Sequence, residues 1–249
     1  IANNSLLSAG GNISILSFAE TLVDDAVPNG SGSTMVGVAV SVGLGAISVN
    51  VNILNVDVQN TSHAYVTSTR TSGDVVTAGG DILVKADSKA DLVDLNGVGV
   101  AISGGGIAAT GGGLNITLDV NNDVEAKIQL GARAAKVTAG AGSAIDVGKV
   151  TVDAKETATF SSKVVNVNAA IAPIGLAVGA STMRTTHASS VRATVRNAKV
   201  SGADIKLYSA SDVNVNDVYS TGVSVGTIAV ETNIARAEAK GLVMTEIDN

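Results

Sequence analysis

The chain of 249 residues contains no cysteine, no tryptophan and only two prolines, and aromatic residues make up 2% of it. Without cysteine there are no disulfides, thiolate metal sites or thiol nucleophiles. Phe18, Phe160, Tyr65, Tyr208 and Tyr219 are too few to fill an irregular globular core of this size. Charge is also sparse: 16 Lys and Arg against 22 Asp and Glu give a net charge of −6. No Lys/Arg cluster interleaved with aromatics occurs, which argues against a nucleic-acid surface. The N-terminus has no basic leader and begins at Ile1 in mid-pattern, as expected of an interior piece of a longer chain.

What the chain does have is valine, isoleucine, alanine and 28 glycines. The stretch 35–59, MVGVAVSVGLGAISVNVNILNVDVQ, carries one charge, Asp57, and is almost long enough for a membrane helix. Its detail is strand-like. Val36, Val38, Val40 and Val42 alternate with Gly37, Ala39, Ser41 and Gly43, and Val49, Val51 and Ile53 alternate with Asn50 and Asn52. Period 2 marks strands with one buried face. A transmembrane barrel shares the period but calls for aromatic girdles, which are missing, so the expectation is soluble β-structure with no membrane span.

The same order of segments returns four times. GGNISIL from Gly10, GGDILVK from Gly79, VGKVTVD from Val147 and GADIKLY from Gly202 place Ile13, Ile82, Val150 and Ile205 at one position. A Gly/Ala/Val block follows each, at 36–48, 97–113, 169–180 and 222–229. Then comes a polar strand (SHAYV, VEAKI, THASSV, ARAEA), in which His63, Glu125, His187 and Arg236 are aligned. GDVVTAGG, RAAKVTAG and RNAKVSGA close the unit. No segment has convincing helical periodicity, and a unit that cannot bury its own apolar face must stack on its neighbours. The expected fold is therefore all-β, a parallel β-helix (β-solenoid). It forms one continuous segment, 1–249, with approximate repeats 10–78, 79–146, 147–201 and 202–249. With a rung of about 20–25 residues it makes about ten rungs, a rod of about 50 Å. A β-sandwich is the structural alternative. The Gly/Ala blocks are expected to line a narrow buried core.

The G-G-D-I-x-V-x-A cadence, the V-G-V-A-V block, x-x-A-x-V and V-T-A-G-G resemble the repeat region of giant secreted bacterial filamentous adhesins. These are the leukotoxin-type and haemagglutinin-like exoproteins of two-partner secretion or autotransporter systems. The resemblance covers nearly the whole chain. It implies a non-catalytic shaft segment at the bacterial cell surface or outside the cell, used in surface attachment, biofilm or host contact. The partners it implies are neighbouring repeats of the same or like chains, stacked end to end or bundled laterally, and surface glycans or host proteins. The alternative reading is a carbohydrate-active β-helix enzyme or glycan-binding module.

Candidate chemistry is thin. Asp119, Asn121 and Asp123 match the opening of an EF-hand loop, but Val124 and Leu130 replace its glycine and bidentate glutamate, so structural calcium is the most the pattern allows. Asp212, Asn214 and Asn216 repeat the hint. His63 and His187 suggest a metal pair, yet the aligned Glu125 and Arg236 break it, leaving an outward polar position as the preferred reading. Gly104–Gly106 and Gly111–Gly113 lack the Lys-Ser/Thr of a phosphate loop. Carboxylates such as Asp24-Asp25, Asp91 and Asp94 sit beside no plausible Arg or His partner. Sequons stand at Asn3, Asn12, Asn29, Asn60 and Asn115. No catalytic or cofactor-binding residue is expected.

Overall fold

The structure is a computed structural model that describes residues 2–3, 6–23, 36–43, 47–132, 134–141 and 148–248. β1 (Ala2–Asn3) and β2 (Leu7–Ala9) precede the first full coil, which comprises β3 (Ile13–Val23), β4 (Val36–Gly43), β5 (Ile47–Val58), β6 (Thr61–Thr67) and β7 (Ser72–Ala78). The second coil is β8 (Ile82–Gly104), β9 (Ile107–Val120), β10 (Asp123–Gln129) and β11 (Ala134–Thr138). The third is β12 (Lys149–Ile171), β13 (Ile174–Arg196) and β14 (Lys199–Ser201), and the fourth is β15 (Asp204–Val225) and β16 (Ile228–Asp248).

Among the described residues the strand pairings are parallel and join one coil to the next. One sheet stacks β3, β8, β12 and β15, with β4 also on β8. A second stacks β5, β9, β13 and β16, with β1, β6 and β10 alongside. A third, short wall stacks β2, β7, β11 and β14. Ile13, Ile82, Val150 and Ile205 pair in succession, as do Val76, Val137 and Val200 on the short wall. The fold is a parallel β-helix, as the repeats imply.

The size of the coil departs from expectation. Ile82 pairs directly with Ile13, 69 positions back, so each repeat makes a single turn and there are four turns rather than about ten. Gly and Asn residues lie inside strands of up to 23 residues rather than separating short ones. Such a strand has a contour of about 75 Å, whereas four coils stack to only about 15–20 Å. The body is a broad slab, not a rod.

At one end of the slab the two long sheets are held apart by the short wall. At the other they meet through two-residue turns, such as Ala172-Pro173 between β12 and β13. Inward side chains form three apolar clusters along this width. Val84, Ile128 and Val152 belong to the wide end; Leu92, Ile116 and Phe160 to the middle; Ala108, Ala170 and Ala177 to the tip. Glycines stack at the corner before each first strand, where coils approach closely: a Cβ on Gly148 would lie 2.5 Å from the Gly80 carbonyl oxygen, and one on Gly202 2.9 Å from that of Gly148.

The Gly/Ala/Val blocks divide by parity. Ala108, Ala170 and Ala177 are buried, as expected of a narrow core. Their valines, however, face outward: Val38, Val40, Val42, Val49 and Val51 are all exposed. Strand β12 keeps even positions inward along its whole length, so after Phe160 the inward set becomes Ser162, Val164, Asn166 and Asn168.

Candidate functional site

A polar seam crosses the interior between the wide-end and middle clusters. Glu156, wholly buried on β12, is its centre. The Asn122 amide donates to Glu156 Oε1 at 2.6 Å, His187 Nε2 lies 3.0 Å from the same oxygen, and the Ser211 hydroxyl donates to Oε2 at 2.8 Å. Ser189 Oγ stands 2.9 Å from His187 Nε2 and accepts from the Asn122 backbone N–H at 3.2 Å. Asn122 Oδ1 in turn accepts from the Asn60 N–H, and Asn60 Oδ1 accepts from Thr21 Oγ1 at 2.8 Å. Successive coils thus put Asn60, Asn122 and Ser189 in a column at the break between the β5/β9 and β6/β10 segments, facing the column of Ser88, Glu156 and Ser211.

Burial pushes the Glu156 carboxyl up, but the His187 hydrogen bond and charge, with Ser189 and Asn122, outweigh it and hold the group below the usual carboxylate range. Ser189, His187 and Glu156 have the composition of a nucleophilic triad but not its geometry. A triad uses one imidazole nitrogen for the hydroxyl and the other for the carboxylate. Here both partners meet Nε2, so the proton that binds Glu156 occupies the site that must accept from serine. With Ser189 itself buried, the seam is a structural network.

The sequence alignment of the two histidines fails. His63 does pair with Glu125, but Glu125 pairs onward with Arg192, and His187 pairs with Val120 and Ala239. Shifting five positions, an odd number, reverses the face, so His187 is buried while His63 faces outward. The recurring "polar residue then alanine" offers both registers. Only the pairing of the whole strand selects one.

His63 belongs to an outer polar array on the second sheet. Its Nε2 is 2.8 Å from Asp123 Oδ2, Arg192 donates to Asp123 Oδ1 at 3.0 Å, and the rings of His63 and Tyr65 stack with centroids 5.1 Å apart. Lys127 sits 4.5 Å above the Tyr65 ring, and the Tyr65 hydroxyl donates to Glu125. Burial, then the Glu125 hydrogen bond and charge, raise the Tyr65 hydroxyl well above its ordinary value. Asp123 is therefore engaged by His63 and Arg192, while the Asn121 N–H bonds the Val58 carbonyl and Asp119 pairs in register with Asp57 and Thr186. The three residues lie across the break between β9 and β10, each engaged by neighbouring coils. Among the described residues, no three His, Cys, Asp or Glu side chains are grouped to hold a metal ion.

Comparison with known protein families, curated proteins and solved structures finds no match.

Other candidates resolve simply. Gly104–Gly106 bracket the tip turn, and Gly111–Gly113 lie within β9. Asn60 is buried and donates to the Lys89 carbonyl, so its sequon is inaccessible in the folded chain. Asn115 is exposed. Asn29 and Asp24-Asp25 lie outside the described residues, and of the Asn3 and Asp94 side chains nothing is described. The seam carried no sequence motif; its signal was Glu156, a lone acid at an inward position of a regular alternation.

Proposed function

We propose that this chain is a structural shaft segment of an extracellular bacterial filamentous adhesin. The observation that supports this reading is the parallel register that runs from coil to coil, interrupted in the first sheet only by a bulge beside Phe160. Such a ladder lengthens by adding coils without changing its cross-section, and each coil depends only on its neighbours. The terminal strands leave rows of backbone donors and acceptors along the stacking direction, ready for a further coil. Reach and stiffness follow from repetition, and attachment resides in what the shaft displays. Two or three copies joined in tandem should form one continuous body that grows by about 19 Å per copy along the stacking axis in electron micrographs. Copies that remain separate beads sink the shaft reading.

A second reading, a glycan-binding module, has one observation behind it. Exposed Phe18 lies beside Lys85, Lys89 and Lys155 around a shallow hollow of about 250 Å³ on the outer face of the first sheet. Asp87 also lines it and pairs with Lys85 at 2.6 Å, and Lys89 pairs with Glu20, so Lys155 is the cation an acidic polysaccharide would meet first beside the aromatic face. Titration calorimetry with a uronic-acid polymer, using Lys155→Glu as control, tests it; heats that do not change with the substitution dispose of it.

A further inference from the structure

The narrow half of the slab is inside-out. Toward the tip its interior is polar: Asn166 donates to the Gly112 and Ala180 carbonyls of the facing sheet at 3.3 and 3.4 Å, Ser224 donates to Glu231 at 2.6 Å, and Ser181 donates to Asn233. Glycines face these groups. A Cβ on Gly99 would sit 2.8 Å from Asn166 Oδ1, and one on Gly112 would collide with Asn168. The exterior is mostly hydrocarbon, with Asn55, Asn115 and Thr232 as exposed polar exceptions. On the first sheet Val40, Val100, Val167 and Val223 form one outward column; on the second, Ile47, Ala109, Leu176 and Ile228 form another. Ile107, Ile171, Ile174 and Ile228 close the rim at the turns. More than a dozen large aliphatic side chains here are between 42% and 72% exposed, well beyond the few hundred Å² of apolar patch that a soluble monomer leaves open.

Residues 36–56, 96–118, 164–183 and 220–235 supply this half, and their one charged residue is Glu231, whose carboxylate points inward. Charge returns at its border. Lys163 lies 5.6 Å above the ring of half-exposed Tyr219 on one face, and Arg184 pairs in register with Arg236 on the other, with a column holding Asp57, Asp119 and Glu238 two residues further from the tip.

We propose that this edge inserts into the hydrocarbon of a lipid bilayer, with Lys163, Tyr219, Arg184 and Arg236 at the level of the headgroups. Apolar surface on both faces and around the rim fits a surrounding solvent of acyl chains. A second copy of the chain would cover one face and leave the other wet. Hydrogen bonds and close glycine contacts hold layers together where there is no water to drive apolar burial, and polar-in, apolar-out is how strands meet lipid. Tyrosine and basic residues at the border match the interface preference of membrane proteins and the charge of anionic headgroups. From Val165 to Ile171 the apolar strip is about 20 Å deep, more than one hydrocarbon leaflet and less than the full ~30 Å core, so the edge anchors without spanning. The free strand edges of the outer coils oppose immersion, and edge-to-edge stacking of copies on the membrane removes that cost.

The absence of tryptophan makes the test direct. Val178→Trp on the apolar face and Thr157→Trp on the polar half each create a single probe, and vesicles of phosphatidylcholine, with and without phosphatidylglycerol, are added. The Val178→Trp emission should shift to the blue and be quenched at least threefold by brominated acyl chains, with Thr157→Trp unaffected. Flotation of the otherwise native chain with the vesicles should fall at least tenfold on Val40→Glu/Val178→Glu, with the circular dichroism spectrum unchanged. No blue shift, equal quenching of both probes, or flotation indifferent to the glutamates overturns the proposal. So does a blue shift without lipid that tracks protein concentration, which would assign the face to a second copy.

Discussion

Glu156 shows what one inward residue does to a solenoid. It is wholly buried, and its two oxygens collect Asn122, His187 and Ser211 from three different coils. Removing one partner of a buried charged network strands the others, so Glu156→Ala should cost about 3–5 kcal/mol in urea denaturation. Because its folded carboxyl lies below the usual range, the stability it contributes is complete above that range and is lost as pH falls through the folded value. The denaturation midpoint should drop on acidification below the ordinary glutamate range, and Glu156→Gln should flatten that drop. An equal acid slope in the two proteins excludes Glu156 as its source. Glycines divide as sharply. Gly148→Ala forces a Cβ to 2.5 Å from the Gly80 carbonyl oxygen and into neighbouring backbone, whereas Gly106 has nothing within 4 Å. Thermal denaturation should register about 2–4 kcal/mol for the first and less than about 1 for Gly106→Ala.

At the scale of the element, position in the stack decides stability more than sequence does. β12 is bonded along most of its length on both sides, to β8 and to β15. β13 is likewise flanked, by β9 and β10 on one side and β16 on the other. β15 and β16 have similar lengths and alternation but each has a neighbour on one side only. Amide hydrogen exchange should therefore be slowest in β8, β9, β12 and β13, and at least tenfold faster in β15 and β16, since local opening of an edge strand breaks one ladder rather than two. Uniform protection across all four coils would mean that the ends are covered in solution, and it would point to stacking of copies.

For the whole molecule, energetics that depend on neighbouring coils make damage local. Phe160 is the largest fully buried side chain and sits in the middle cluster beside Leu92, Ile116 and Met183. Phe160→Ala should lose about 3–5 kcal/mol, read as lowered exchange protection in the second, third and fourth coils with the first coil least affected. Loss spread evenly over all coils would show a single cooperative unit instead. The slab shape also changes what a shaft means here. Per coil the chain builds much more width than height, so bending about the thin direction is resisted by three sheets at once.

Much of the fold was present in the sequence. Scarce aromatics, period 2 and the recurrence of Ile13, Ile82, Val150 and Ile205 determine a parallel solenoid, because identical small residues stack as ladders and equivalent positions must pair. The EF-hand-like DVNND was weak in sequence and in space spans the break between β9 and β10. Three matters were decided only by tertiary structure. Coil length could not be read locally, since a glycine inside a strand and one at a turn look alike until the partner coil is placed. The register of His187 was ambiguous for the same reason, and a shift by an odd number of residues reverses every side chain. The inverted tip is the third. Alternation reports that a strand has two unlike faces, but where Asn166 and Asn168 point is set by the continuity of β12 and by the sheet across from it, and no single strand carries that information.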